Sequence, residues 1–399
     1  MGGIKFRIFR GKVMTIKNTA VTVNISEAFD WRTFVKKHKP GQDSELQRQR
    51  LSMYQRVLPE LEKWSTVSGL NIEEWSTICG YELSKGRVKS CAYYGICAVE
   101  SAVESIDYDL ALLLAKLCLW LYAMDIRLDD SPSISCLDAR SIEIISPFKE
   151  QLIQQGILNL TSDLSAVPNK EEDNSIDRTI AQVLSEIYLS LKQVCNTRLS
   201  SSDQEFCLSK FVNELATVIK SMHWERKHSL VFQQADHLSP AQDLQITLEE
   251  YLDLARITTC YRVVASFVLA FETAPSAIWV QWEEAMRYGG RIVRLANDMA
   301  TVLREMEEGK INAVSIVLRD LGFNPFATYS LDSPEIREAL RLLKEQREVE
   351  LIRFNQQLKA LPLSGPFAHN VIVSMAFGVA MYEKGDFEPE LPPSQIKKR

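Results

Sequence analysis

Apolar side chains recur every three or four residues from Ser44 onward, beginning with Leu51, Tyr54 and Leu61. This spacing gathers apolar side chains on one face of an α-helix. Alternation typical of β-strands is scarce, with one short extended piece expected at residues 21–25, and no internal repeat is present. The pattern predicts an all-α protein with helices at residues 99–130 (with a break near Asp107), 137–156, 175–195, 202–230, 248–271, 276–308, 311–321, 334–360 and 366–383.

Two polar segments, residues 165–177 and 233–245, interrupt the helical pattern, and each contains a proline. Helical patterning of the same kind resumes on both sides of each segment, so we interpret them as surface loops rather than domain linkers. The predicted division of the chain is a lead-in segment at residues 1–45, one α-helical domain at 46–385 and a disordered tail at 386–399.

Composition is that of an ordinary globular protein, with 46% hydrophobic and 25% charged residues among 399. The net charge of -6 argues against a nucleic-acid-binding protein, which usually carries a basic face. An anionic substrate would need local positive charge or a metal ion rather than a global field. We expect a monomer or a homodimer.

The eight cysteines form no Cys-x-x-Cys pair, which favours reduced, buried thiols in a cytoplasmic protein. Residues 1–13 lack an apolar core long enough for a signal peptide. The longest apolar run, Leu110–Met124, is interrupted by Lys116 and is too short to span a bilayer. We therefore expect no transmembrane segment.

One uninterrupted stretch, Asn297–Glu305, carries three oxygen-bearing side chains at four-residue spacing: Asn297, Thr301 and Glu305. Four residues turn an α-helix by about 400°, so the three side chains share one face. Amide, hydroxyl and carboxylate oxygens suit Mg²⁺. The adjacent Arg304 adds a positive charge, and Asp298 lies about 100° round the helix from Asn297. The alternative interpretation is a solvated charged helix face.

A second cluster follows the apolar run, at Asp125, Asp129 and Asp130. Asp125 and Asp129 are four residues apart and share a face, where like charges repel. The helix C-terminus is also the unfavourable end for negative charge. We therefore favour metal binding over a solvated helix end.

Both clusters have a counterpart in one family. The pattern Asn-Asp-x-x-Thr-x-x-x-Glu resembles the second metal-binding motif of class I terpene synthases, in which the basic residue before the Glu, here Arg304, also contacts pyrophosphate. The aspartate cluster resembles the family's first motif. Asp125 matches its first Asp, Asp129 matches its last, and Ile126 replaces its second.

Between these motifs, residues 248–260 resemble the family's pyrophosphate-sensing segment. Arg256 matches the sensor arginine, and Arg262 is a competing candidate. Thr259 and Cys260 match the linker and effector positions, although the family commonly has glycine at the effector position.

The segment from Asn370 to Tyr382 resembles the family's last helix, which often ends in Arg-Tyr. Tyr382 is retained, whereas Met381 replaces the arginine. One phosphate contact is therefore missing, or is supplied by Lys384, Arg294 or Arg304.

The resemblance implies a helical bundle around a central cavity and a class I terpene cyclase that uses three Mg²⁺ ions to ionise a prenyl diphosphate. We favour geranylgeranyl diphosphate because the chain is longer than many sesquiterpene cyclases. Aromatic faces would stabilise the carbocations. The candidates are Trp120, Tyr122, Phe267, Phe271 and Phe377.

Four alternatives remain open: a sesquiterpene cyclase acting on farnesyl diphosphate, a chain-elongating prenyltransferase, a pseudo-enzyme and a non-catalytic helical scaffold. A chain-elongating enzyme would be expected to carry a second Asp-Asp-x-x-Asp, which is absent from the sequence. A scaffold would not explain three carboxylates at a helix C-terminus.

Overall fold

The computed structural model describes residues 45–70, 86–99, 107–129, 131, 133–154, 174–234, 246–325, 327–363 and 365–384. The predicted extended piece at 21–25, most of the lead-in segment and the predicted tail lie outside these residues. The described part of the chain is helical, as predicted. Its helices are α1 (Glu45–Val67), α2 (Gly86–Val99), α3 (Tyr108–Asp129), α4 (Ile134–Ile144), α5 (Lys149–Gln154), α6 (Asn174–Arg198), α7 (Ser201–Gln234), α8 (Leu248–Ala255), α9 (Tyr261–Val268), α10 (Pro275–Glu307), α11 (Ala313–Asp320), α12 (Pro334–Leu358) and α13 (Pro366–Lys384).

Helix α3 lies in the interior, as its apolar composition predicts. It begins at Tyr108, and the Asp107 carboxylate accepts a hydrogen bond from the Leu110 backbone N–H at 3.1 Å. It packs against α2, α6 and α4. The fully buried Trp120 donates its indole N–H to the Ile180 carbonyl of α6 at 2.8 Å. Burying that indole without a partner would be costly, so the bond favours one docking of α6.

The predicted single helix at 248–271 is wrong. The segment forms α8, a turn at residues 256–260, α9 and a 3-10 turn at Leu269–Phe271. The Thr258 and Thr259 hydroxyls donate to the backbone carbonyls of Ala255 and Arg256 at 2.9 and 2.7 Å. Threonine hydroxyls that bond nearby backbone in this way compete with the helical ladder.

Cys260 completes that break with φ of 58°, the only positive φ at a non-glycine residue in the described ranges. A left-handed conformation costs an L-residue roughly 1–2 kcal/mol. The conformation is held because the Cys260 carbonyl accepts hydrogen bonds from the Val263 and Val264 N–H groups at 3.1 and 3.2 Å. These bonds form the first turn of α9.

Helix α10 follows that break and packs on α8, α9, α12 and α13. A Cβ at Gly289 would lie 2.7 Å from the Tyr261 hydroxyl oxygen, closer than side chains tolerate. Glycine therefore allows Tyr261 to cross α10 and donate to the Val371 carbonyl of α13 at 2.5 Å. The contact ties α9, α10 and α13 together.

Other predicted bounds need correction. The predicted helix at 137–156 is divided by a 3-10 turn at Ser146–Phe148, where Pro147 interrupts the helical ladder. The predicted loops at 165–177 and 233–245 are too long at one end each, because α6 begins at Asn174 and α7 ends at Gln234. Residues 155–173 and 235–245 lie outside the described residues. Among the described helices, none combines the length and apolarity needed to cross a membrane.

Candidate functional site

A polar cleft is lined by residues of α3, α7 and α10, and both predicted metal clusters reach it. Helix α3 contributes Asp125 and Asp129, and α10 contributes Asn297 and Glu305. Eight predicted site residues line this cleft: Asp125, Asp129, Thr259, Arg294, Asn297, Arg304, Glu305 and Tyr382. Residues from distant parts of the sequence therefore meet in one place.

Two of the three side chains predicted to share a face of α10 line the cleft. In the described part of the chain, the side-chain amide of Asn297 lines the cleft and has no hydrogen-bond partner. Glu305 is 7% exposed, and its Oε2 accepts from Asn312 Nδ2 at 2.7 Å. The Thr301 hydroxyl instead donates to the Asn297 carbonyl at 2.9 Å and does not line the cleft.

The side chains that line the cleft on α3 and α10 offer oxygen atoms, which are the ligands that Mg²⁺ prefers. Across the residues that the structure describes, no three carboxylate, imidazole or thiolate side chains lie close enough to form a metal site by themselves. A metal ion here would be shared between carboxylates of two helices and the Asn297 amide oxygen. Its remaining positions would go to water or phosphate oxygen, as is usual for Mg²⁺.

Asp298 turns away from the cleft into the protein interior. Its Oδ1 lies 2.7 Å from Arg294 Nε, and its Oδ2 accepts from the Tyr251 hydroxyl at 2.9 Å and the Ala313 N–H at 3.0 Å. Burial raises the pKa of Asp298 to about 6, against the opposing charge of Arg294. Asp298 thus joins α8, α10 and α11 from behind the face that carries the metal donors.

Arg294 links that buried network to the cleft. Its Nη1 lies 2.8 Å from Glu225 Oε1 and 3.1 Å from Thr258 Oγ1, and its Nη2 donates to the Tyr251 hydroxyl at 2.6 Å. Burial raises the pKa of Glu225 to about 8, with Arg294 opposing the rise. A guanidinium held by this many partners is fixed in position.

Sequence reasoning missed Glu225, although a signal was available. In α7, buried apolar residues recur at Leu215, Val218 and Met222. Glu225 and Arg226 continue that face at the next three- and four-residue steps and line the cleft. Charged residues that continue an apolar helix face indicate a polar site within the fold.

Lys310 was also missed, and it bridges the two sides of the cleft. Its Nζ lies 2.9 Å from Asp129 Oδ2 and 3.0 Å from Glu308 Oε2. Burial disfavours the charged amine, but the two carboxylates outweigh that effect and raise the pKa of Lys310. The side chain joins the end of α3 to the loop after α10.

Arg256 does not line the cleft in this structure. Its Nε lies 3.6 Å from Asp253 Oδ1, and the same carboxylate group pairs with Arg287 and Arg291 at 2.8 Å each. Burial lowers the pKa of Arg256 to about 10. The competing candidate, Arg262, is held by both oxygens of Glu214 at 2.8 Å. Arg256 remains the sensor candidate because it borders the helix break.

The five predicted aromatic residues belong to the main hydrophobic core or pack against it, and none lines the cleft. The Tyr122 hydroxyl donates to Met381 Sδ at 3.0 Å. The Arg198 guanidinium lies 4.7 Å from the centroid of the Phe271 ring. Two of the five, Trp120 and Phe267, are fully buried. The other three are Tyr122, Phe271 and Phe377. Their contact with substrate remains a prediction.

Comparison with known families gives a match over residues 154–327 to the model for terpene synthase family 2, C-terminal metal binding. The matched region contains the helix break and the Asn297–Glu305 stretch, whereas Asp125 and Asp129 precede it. No curated protein sequence matches the chain.

Solved structures of terpene synthases share the fold. Linalool/nerolidol synthase from Streptomyces clavuligerus, in complex with 2-fluorogeranyl diphosphate, is 14% identical with a TM-score of 0.52, over 84% of this chain and 95% of that one. A single-residue variant of cucumene synthase is 12% identical with a TM-score of 0.53, over 84% and 95%.

A plant enzyme is also similar. Isoprene synthase from grey poplar (Populus x canescens), in complex with three Mg²⁺ ions and dimethylallyl-S-thiolodiphosphate, is 15% identical with a TM-score of 0.56. The match covers 87% of this chain but only 59% of that one.

Proposed function

We propose that this chain, a class I terpene synthase by its family match and its fold, cyclises a prenyl diphosphate at the cleft between α3 and α10. The observation that carries the proposal is the meeting of Asp125 and Asp129 with Asn297 and Glu305 across one cleft. Arginines border the same space. An array of oxygen ligands beside fixed positive charge suits a metal-bound diphosphate.

Asp125, Asp129, Asn297 and Glu305 would hold Mg²⁺, with Thr301 joining them once its hydroxyl leaves the Asn297 carbonyl. We favour three ions, as in the grey poplar isoprene synthase complex. Bound Mg²⁺ would supply Lewis-acid stabilisation of the departing diphosphate. The donors lie on two helices, so neither motif alone would complete the site.

The cationic side chains would bind and orient the diphosphate. Arg304 is 54% exposed and lies at the cleft, where its guanidinium is 3.7 Å from Glu305. Arg294 is fixed by its buried partners and supplies a preorganised positive field. Tyr382 lines the cleft and offers a hydroxyl, and Arg256 would turn toward the substrate from the helix break.

In the reaction, the allylic C–O bond breaks heterolytically, and both electrons leave with the diphosphate. The allylic cation would then close rings. The final cation would either lose a proton to give a terpene hydrocarbon or take up water and release a proton to give an alcohol. Closure of the site over the substrate would exclude water until cyclisation is complete, since water would otherwise end the reaction early. Aromatic faces such as those of Tyr122 and Phe377 would stabilise the cation.

We favour geranylgeranyl diphosphate as the substrate, with farnesyl diphosphate as the alternative. No disulfide joins the described cysteines, as expected in a reducing compartment such as the cytoplasm. The test is incubation with C10, C15 and C20 prenyl diphosphates and Mg²⁺, followed by mass spectrometry of volatile products. A matched reaction with Asp125→Ala controls for contaminating synthases.

Cyclic products from one chain length, lost in Asp125→Ala, support the proposal. A longer linear prenyl diphosphate, formed only when isopentenyl diphosphate is added, would indicate chain elongation instead. No product from any chain length, in a protein that is folded by circular dichroism, would favour the scaffold interpretation.

A further inference from the structure

Arg226 of α7 lines the cleft and lacks a protein partner there. Its Nε is buried without a hydrogen bond, and no ion pair of Arg226 exists among the described residues. Arginine remains protonated at any physiological pH. The side chain as a whole is half-buried. A buried N–H without a partner is unfavourable, and a ligand in the cleft that accepts from it would relieve that cost.

The other cations of the cleft are already engaged. Arg294 pairs with Glu225 and Asp298 at 2.8 and 2.7 Å. Lys310 is held by Asp129 at 2.9 Å. Arg304 lies within 3.8 Å of Glu308. Arg226 therefore differs from its neighbours in presenting a guanidinium to the cleft without a carboxylate opposite it.

Among the described residues that line the cleft, α13 contributes Tyr382 and no positive side chain. Met381, next to the cleft-lining Tyr382, accepts a hydrogen bond from Tyr122 through its thioether at 3.0 Å and carries no charge. A diphosphate that enters here would meet the Tyr382 hydroxyl of α13, whereas Met381 beside it offers no positive charge. Arg226 on α7 borders the same cleft.

We propose that Arg226 binds the diphosphate of the substrate and supplies the positive charge that Met381 lacks. The inference rests on the proposed function and identifies a further residue of its binding site. The planar guanidinium presents parallel N–H donors that match phosphate oxygens. Arg226 thereby holds the anion from the α7 side of the cleft, which α10 also lines with its predicted metal donors.

The test is calorimetric titration with inorganic pyrophosphate in the presence of Mg²⁺, on the wild type, Arg226→Gln, Arg226→Lys and Lys227→Gln. Lys227 is the matched control because it is exposed, one position along the same helix. Hydrogen bonds to charged groups imply that Arg226→Gln weakens binding about 10- to 100-fold. Arg226→Lys should recover part of this loss, and Lys227→Gln should stay within about twofold of wild type.

A titration with Mg²⁺ alone distinguishes loss of the diphosphate contact from a disturbed cleft. Arg226→Gln should bind Mg²⁺ as the wild type does and should bind only the pyrophosphate more weakly. Equal loss for Mg²⁺ alone, or unchanged pyrophosphate binding, would overturn the role of Arg226. If Arg226→Gln does not fold, Arg226→Lys provides the test. Wild-type affinity for pyrophosphate in Arg226→Lys would exclude the bidentate guanidinium contact. A wild type that binds no pyrophosphate with Mg²⁺ would sink the proposed function together with this inference.

Discussion

Lys310 Nζ lies 2.9 Å from Asp129 Oδ2, which joins two residues 181 positions apart in sequence. The contact connects the C-terminus of α3 to the loop that follows α10. It ties together the two elements that carry the predicted metal donors, and it occupies one of those donors with an ammonium group. A cation that binds Asp129 must displace Lys310 or share the carboxylate with it.

Replacing Lys310 with methionine should therefore raise the affinity for Mg²⁺ alone. The ion pair is partly exposed, with side chains 22% and 50% accessible, so its contribution is modest. A gain of about twofold to fivefold corresponds to a surface pair of this kind. The measurement is titration with Mg²⁺, or with Mn²⁺ followed by electron paramagnetic resonance. The exposed Lys192→Met is the control, and an unchanged affinity in Lys310→Met would show that the pair does not compete with metal.

Cys260 gives a prediction about stability. Its left-handed conformation is strained for an L-residue, and glycine adopts it freely. Cys260→Gly should unfold at higher urea concentration than Cys260→Ala, with a difference of about 1 kcal/mol in the free energy of unfolding. Both variants lose the thiol, so the comparison isolates the backbone. Equal stability of the two would mean that the turn at 256–260 relaxes without glycine.

Glu225 predicts a pH dependence of the metal-free protein. Its pKa in the folded state is about 8, above the ordinary value of 4.5. Between these values the folded state retains a proton that the unfolded chain has released, so the free energy of unfolding falls as pH rises. One such group contributes at most ~1.4 kcal/mol per pH unit.

Urea unfolding in EDTA at pH 5.5 and 7.5 measures that slope. Glu225→Gln should show a shallower fall than wild type, because glutamine does not titrate. Burial raises the pKa of Asp298 to about 6. Its titration should therefore contribute, in both proteins, to the decrease in the free energy of unfolding below pH 6. Identical slopes would show that Glu225 stays ionised beside Arg294 across this range.

The all-α class could be predicted from the sequence because three- and four-residue periodicity is a local property, and the structure confirms this class. The facing of Asn297 and Glu305 follows from the same helical geometry. The position of the Thr301 side chain could not be predicted in this way. Its hydroxyl donates to the Asn297 carbonyl one turn earlier, and residue spacing does not reveal such a hydrogen bond. The helix break at Cys260 depends on hydrogen bonds from the Thr258 and Thr259 hydroxyls to backbone carbonyls three residues earlier.

Residues that depend on tertiary pairing were harder to find. Lys310 reaches the cleft only because α3 ends beside the loop after α10. Arg256 matched a family position, yet its present partner is Asp253, three residues earlier. Periodicity in α7 did carry a signal for Glu225 and Arg226, since both continue an apolar face.

The final prediction separates the two faces of α10. Glu305→Gln and Asn297→Ala each remove a proposed Mg²⁺ ligand, and each should lower turnover at least ~100-fold. If both serve one ion, the double variant should be little worse than either single one, as for residues acting as a unit. The measurement is steady-state product formation, with circular dichroism to confirm folding.

Asp298→Asn is the contrasting variant, because Asp298 faces away from the cleft. Removing its charge breaks a buried ion pair and leaves Arg294 with the Glu225 carboxyl group as its remaining close acidic partner. Breaking a buried pair costs about 3–5 kcal/mol of stability. Its melting temperature should fall well below that of Glu305→Gln, while its affinity for Mg²⁺ at low temperature stays close to wild type. Loss of metal affinity in Asp298→Asn equal to that in Glu305→Gln would place the metal on the other face of α10. Full activity of Glu305→Gln would move the reaction away from this cleft.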